Sequence, residues 1–137
     1  NKIALDTLNS PVLNYYNTEN DRKIVIGEKS LNISDKVNFE RKISQNITSS
    51  PYVKLEDGTY TLTAQIKNSN GFKNLEMYAL SNKKLFKYSI AKENKSWETI
   101  SIKNVVVKSG KVEIGFLADG TPNAFCLVDD ITLVKNR

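Results

Sequence analysis

The chain has 137 residues, enough to bury one core and too few for two. Hydrophobic residues make up 39% and charged residues 26%, which excludes a disordered chain. A net charge of +5 permits contact with polyanions, while the absence of histidine excludes histidine-dependent triads, histidine general bases and most catalytic zinc sites.

In chain order, residues 1–20 carry Pro11 and many turn-prone asparagines and aspartates, so a mostly irregular start is expected. A chain that opens on Asn1 rather than methionine reads as a processed or excised piece of a longer protein. Lys23 to Ile26 reads as a strand, Gly27-Glu28-Lys29 as a turn, and Ser30 to Ile33 as the next strand. Val37, Phe39, Arg41 and Ile43 alternate as a strand would, although Phe39, Ile43 and Ile47 also fit helical spacing. The strand reading is preferred because Val, Phe and Ile favour it and its neighbours are strands.

From residue 51 the pattern is clean. Glu56-Asp57-Gly58 turns the chain, and Tyr60, Leu62, Ala64 and Ile66 then alternate with Thr61, Thr63, Gln65 and Lys67. This phase puts Tyr60 in the core. Asn68 to Lys73 reads as a loop with one exposed aromatic, Phe72. Leu75, Met77 and Ala79 form an inner face, which leaves Tyr78 on the outer one, either as an exposed aromatic face or packing across strands. A lysine-rich turn leads to Leu85 through Ala91, where Tyr88 has no settled side. Trp97 to Val107 alternates again, with Trp97 expected in the core. Ser109-Gly110 turns the chain into Val112, Ile114, Phe116 and Ala118. Asp119 to Asn123 is a loop, and Phe125 to Val134 is the last strand. Its alternation with Phe125, Leu127, Ile131 and Leu133 puts Asp129 on the inner face, where a charge needs a partner or a metal. The whole chain, 1–137, reads as one domain without repeat, linker or low-complexity tract.

Other chemistry is sparse. The single Cys126 excludes an internal disulfide, and its apolar strand marks it as a buried small side chain. Asp129-Asp130 is the one adjacent carboxylate pair, and neighbours on a strand point to opposite faces, so the two cannot flank one glycosidic bond. Lys83, Lys84, Lys87, Lys92 and Lys95 form the densest basic group, with no RNA-binding strand motif or basic helix beside it; nucleic acid is not an expected partner. Apolar runs such as Val105–Val107 are far shorter than the about 20 residues needed to cross a bilayer, so no membrane insertion is expected. Sequons for glycosylation begin at Asn32, Asn46 and Asn94, in a chain whose asparagine content meets such patterns by chance.

Four pieces of sequence carry a family resemblance. Gly27-Glu28-Lys29-Ser30-Leu31 resembles a "G-K-S-L" turn and strand. Residues Leu55 to Ala64 resemble "L-x-x-G-x-Y-x-L-x-A". Trp97 to Ile102 is similar to "W-x-x-v-x-v", and Asn123 to Leu133 to the terminal "n-x-W-x-x-v-D-D-v-x-L". In this order, spanning residues 27–134, they resemble bacterial β-jelly-roll carbohydrate-binding modules with a galactose-binding-like fold, of the kind appended to polysaccharide-degrading enzymes such as galactanases. Phe125 stands where that family often has tryptophan, and its N-terminal "N-G-x-F-E" piece is not recognisable.

The resemblance implies an all-β fold: a β-sandwich jelly roll of two antiparallel sheets. It implies a non-catalytic module that holds a parent glycoside hydrolase, lyase or surface protein on polysaccharide, with plant cell-wall galactan or pectin closest. The implied partners are a polysaccharide or oligosaccharide and a catalytic domain in the same parent chain, in a secreted or cell-surface bacterial setting. It also implies that Asp129 ligates a structural calcium, helped by main-chain carbonyls near the turn at Lys29; a carboxylate satisfied by backbone N–H groups or a lysine is the other reading. Counting antiparallel strands from Tyr60 brings the loops at Asn68–Lys73, Lys92–Ser96 and Asp119–Asn123 to one end, and the glycan is expected there, on Asn70, Phe72, Asp119, Asn123 and Phe125, reaching towards Tyr78. Failing that, the site moves to a sheet face carrying Tyr78 and Tyr88. A protein-interaction or adhesion domain, and a ligand-free accessory domain of a larger enzyme, are the rival functions.

Overall fold

A computed structural model describes residues 13–16, 23–26, 31–49, 55–90 and 92–136. The described residues form ten strands: β1 (Leu13–Tyr16), β2 (Lys23–Ile26), β3 (Leu31–Ser34), β4 (Phe39–Thr48), β5 (Gly58–Asn68), β6 (Phe72–Ser81), β7 (Lys84–Ser89), β8 (Asn94–Val107), β9 (Lys111–Gly120) and β10 (Phe125–Lys135). They make two antiparallel sheets. One runs β1-β2-β10-β5-β8, with β3 also paired to β10; the other runs β4-β9-β6-β7. This is the expected β-sandwich jelly roll. No helix among the described residues is long and apolar enough to cross a membrane.

Period-two sequences built the sheets. Along β5, Tyr60, Leu62, Ala64 and Ile66 are buried while Thr61, Thr63, Gln65 and Lys67 are half-buried on the other side. They meet Ile43, Ile47, Met77, Ile114 and Phe116 from the second sheet in one core. β4 explains why its sequence had two readings. Phe39, Ile43 and Ile47 are buried at every fourth residue, because the intervening positions on the same strand face are the half-buried Arg41 and Gln45. Arg41 earns its place there by lying 5.4 Å over the Phe39 ring and pairing with the Asp35 carboxylate.

The structure corrects two placements in this frame and adds a short strand at the start, Leu13–Tyr16, which pairs with β2; a four-residue strand among asparagines gives little periodic signal. The loop after β5 is shorter than expected, with the ladder continuing through Asn68 and resuming at Phe72. Asp129 does not face the core. Cys126 and Val128 are the buried residues, so Phe125, Leu127 and Asp129 face out, and Asp129 lies opposite Gln65. The register then shifts between Asp129 and Thr132, where Asp130 adopts a left-handed φ of 49°, and Ile131 and Leu133 return to the core. A bulge adds one residue and reverses the phase of everything after it.

Candidate functional site

The three loops expected at one end do meet there. Thr121 donates its N–H to the Gly71 carbonyl at 2.8 Å, Ser69 donates its N–H to the Phe125 carbonyl at 2.9 Å, and Asn70 Nδ2 donates to Glu93 Oε1 at 3.4 Å. The expected sugar-binding residues lie around that end but face different surfaces. Asn123 is exposed, with a left-handed φ of 68°, and its N–H donates to the Asp35 carbonyl. Phe72 is not an exposed aromatic: it is half-buried, perpendicular to Phe39 with ring centroids 6.0 Å apart. Gly120 pairs with both residues, and a Cβ there would fall 2.5 Å from the Phe39 ring, so the bare glycine lets the rings meet. Phe125 is half-buried on the outer face of the other sheet, opposite Ser34.

Asp119 and Tyr78 belong to the outer face of the β4-β9-β6-β7 sheet. Across it run the rows Glu40–Asp119–Asn74, Lys42–Leu117–Glu76–Ser89 and Ser44–Gly115–Tyr78–Lys87. Tyr78 is only 2% exposed, since its ring fills the space left by Gly115, so it offers no stacking surface. Its hydroxyl donates to Glu113 Oε2 at 2.5 Å, and Lys42 Nζ sits 3.4 Å from that carboxylate and 5.8 Å above the ring. Burial, reinforced by Glu113, pushes the phenol well above its ordinary value. Glu76 is satisfied in the same manner. Asn74 Nδ2 donates at 3.1 Å, Lys87 Nζ lies at 3.2 Å and Ser89 Oγ donates at 3.3 Å, and these donors, Asn74 foremost, hold it below the usual carboxylate range. The Glu40, Lys42, Asn74 and Asp119 side of this face borders a depression of about 490 Å³ that no aromatic lines.

The expected pairing of Tyr78 with Tyr88 fails on register. Tyr88 lies opposite Met77, and Tyr78 opposite Lys87, so the two tyrosines point to opposite sides. Tyr88 is 41% exposed and walls a groove of about 530 Å³ between β7 and β8, the edge strands of the two sheets. Ile90 and Ile100 give the groove apolar surface, and Lys92, Glu93, Asn94, Lys95, Glu98 and Thr99 give it donors and acceptors. Asn68 braces the lining without being part of it. This buried amide donates to the Lys92 carbonyl at 3.2 Å and accepts from Asn94 Nδ2 at 2.9 Å, which fixes the turn that carries the polar lining. Asn70 reaches the groove's rim through Glu93.

The sequence had brought the loop after β7 to the correct end and left Tyr88 open. It missed the groove, which exists only because two edge strands from different sheets lie side by side. Trp97 also departs from expectation. It is 43% exposed rather than in the core. The β5–β8 register shifts between Glu98, opposite Ile66, and Asn94, opposite Asn68, so simple alternation does not carry through Trp97.

For the calcium expectation, Lys29 lies outside the described residues. Asp129 Oδ1 accepts the Asp130 N–H at 2.8 Å. Among the described residues no three histidine, cysteine or acidic side chains gather as a metal site. Two carboxylates are too few for an ion that takes about six to eight oxygens, so main-chain oxygens would have to complete the set. β2 ends with Ile26 opposite Ile131 and β3 begins with Leu31 opposite Val128, so Asp129 and Asp130 lie between the two pairings.

No protein-family model matches the sequence, and no curated protein matches it. Solved structures do. TmCBM61, in complex with β-1,4-galactotriose, is similar over 95% of this chain and 92% of its own, with a TM-score of 0.65 and 16% identity. The EclA C-terminal domain, a sugar-binding protein, is similar over 76% of each chain, with a TM-score of 0.51 and 15% identity. A structure of carbohydrate-binding modules from the β-sandwich superfamily, described for promiscuous specificity, is similar over 82% of this chain and 46% of its own, with a TM-score of 0.50 and 12% identity. The chain has the β-sandwich jelly-roll fold that these carbohydrate-binding proteins share.

Proposed function

We propose that the chain is a non-catalytic carbohydrate-binding module whose glycan lies in the β7–β8 groove. The observation that carries this reading is the exposed Tyr88 ring beside Asn94, Glu98, Lys92, Lys95 and Thr99 in a groove of about 530 Å³. A pyranose presents an apolar C–H face and a hydroxyl rim; an aromatic face takes the first, and amides, carboxylates, ammonium groups and hydroxyls take the second. The fold shared with a module solved on β-1,4-galactotriose supports a glycan of galactan type. An open groove holds its ligand weakly, which suits a module that keeps a parent polysaccharide-degrading enzyme near its substrate. In this reading the protein works outside the cell or at its surface, joined to a catalytic domain. A calcium ion held by Asp129, with main-chain oxygens near Lys29, would tie the β2–β3 connection to β10 and serve stability alone.

Titration with β-1,4-galacto-oligosaccharides tests the reading. Tyr88→Ala is expected to weaken binding by about tenfold, equivalent to roughly 1.4 kcal/mol, with the fold intact. No reducing sugar should be released, although Glu93 and Glu98 both line the groove. Unchanged affinity on loss of Tyr88 would remove the groove as the site, and release of reducing ends would make the chain an enzyme.

A further inference from the structure

Among the described residues four large apolar side chains are exposed, and three of them, Leu85, Tyr88 and Trp97, lie on β7 and β8. Single exposed apolar residues are ordinary on a protein surface, and Leu85, opposite Leu80, is on the other side of β7 from Tyr88, opposite Met77; Tyr88 lines the groove, and Trp97 follows closely on its lining residue Lys95. Tyr88 and Trp97 also flank the same stretch of chain. From Lys95 to Thr99 every residue of β8 is exposed, because this end of an edge strand pairs with β5 on one side only. The stretch therefore stands as a rib that borders the groove through Lys95, Glu98 and Thr99. Trp97, 43% exposed, lies in this stretch between the groove residues Lys95 and Glu98 but does not itself line the groove.

We infer that the glycan site does not stop at the groove: the sugar chain crosses this rib and places a second ring on Trp97. The inference rests on the reading of the groove given above and extends it to the length of ligand recognised. A ligand that stacks only on Tyr88 fills the groove; one that also reaches Trp97 must pass over Lys95–Thr99, whose hydroxyl, ammonium and carboxylate groups can bond the hydroxyls of the sugars between. The protein would thus prefer a chain of several residues over a mono- or disaccharide. It would also grip internal stretches of polysaccharide, because both ends of the path are open.

The chain has a single tryptophan, so Trp97 reports on its own occupancy. The experiment uses the intact chain and a ladder of β-1,4-galacto-oligosaccharides from two to six sugars, read by titration calorimetry and by tryptophan emission. Short members are expected to bind without moving the emission. Longer members should shift it and bind about tenfold more tightly, and that gain should vanish in Trp97→Ala and persist in Trp97→Phe. Circular dichroism and melting temperature should match the parent chain in both variants, since the side chain is not part of the core. If Tyr88→Ala weakens binding while Trp97→Ala changes nothing at any length, the inference fails and the groove stands. If tryptophan emission ignores sugar throughout, Trp97 serves some other surface and the inference fails likewise. If neither short nor long oligosaccharide binds, the reading of the groove falls and this extension falls with it.

Discussion

Cys126 is fully buried in β10, and burial pushes its thiol up to about 12, whereas an exposed thiol titrates near about 8.5. The sign of the linkage follows. Between those values the unfolded chain releases a proton that the folded chain keeps, so stability is complete below about 8.5 and falls as pH rises towards about 12. Tyr78 adds to the fall above about 10, its phenol being raised by burial and by Glu113. We expect melting temperature to decline less steeply above pH 8.5 in Cys126→Val than in the parent chain; parallel curves would contradict this. A thiol reagent at neutral pH should modify Cys126 only as fast as the sandwich opens, so the labelling rate should rise with denaturant.

At the scale of single strands, regular alternation was legible and its interruptions were not. β5 and β9 could be assigned by period, because each buries alternate apolar side chains against the opposing sheet. In β10 the same rule misplaced Asp129, since nothing in the residue types announces that Asp130 will take a left-handed conformation and reverse the phase. β8 contains a similar break: Ile100 and Ile102 are buried, Asn104 has a φ of 62°, and Val105 and Val107 are the next buried pair. Edge strands carried the other errors. Tyr88 and Trp97 sit where only one neighbour constrains the chain, and their exposure depends on a sheet that their own periodicity does not report.

β9 offers a test at this scale. Gly115 is central to its sheet, and a Cβ there would lie 2.2 Å from the Ile43 carbonyl oxygen and 2.9 Å from the Tyr78 ring. The first contact is backbone and cannot swing away. Gly115→Ala should therefore cost about 3 kcal/mol in chemical denaturation, whereas Gly71→Ala, in the exposed loop, should alter the loop more than the sheet. A Gly115→Ala variant as stable as its parent would mean that β4 and β9 are not packed as described.

For the whole molecule, the two-sheet architecture was readable from residues 51–135, where turns and alternating strands follow one another at short intervals. The β7–β8 groove was not, because it is assembled from β7, β8 and the turn between them by contacts that no local pattern encodes, such as Asn68 holding the Lys92 turn. Calcium is a matter for the whole molecule too. If an ion bridges the β2–β3 connection and Asp129, it binds only the folded chain and raises stability by mass action. A chelator should then lower the melting temperature by several degrees, and Asp129→Ala should abolish that response. Unfolding that ignores both chelator and added calcium would dispose of the ion.

The position of β10 sets the timing of folding. β2 and β3 lie end to end along one edge of β10, and β5 occupies the other edge. As a ribosome delivers the chain, the stretch at Leu31–Ser34 must wait until Phe125–Val128 has emerged before its ladder can form, and β4 must wait for β9. Nearly the whole chain is thus made before either sheet can close. Such distant pairings place folding among the slow cases, about milliseconds to seconds. The β1–β2 and β6–β7 hairpins can form as the chain emerges, but β3 keeps an unpaired edge until β10 arrives, and such edges are prone to aggregate.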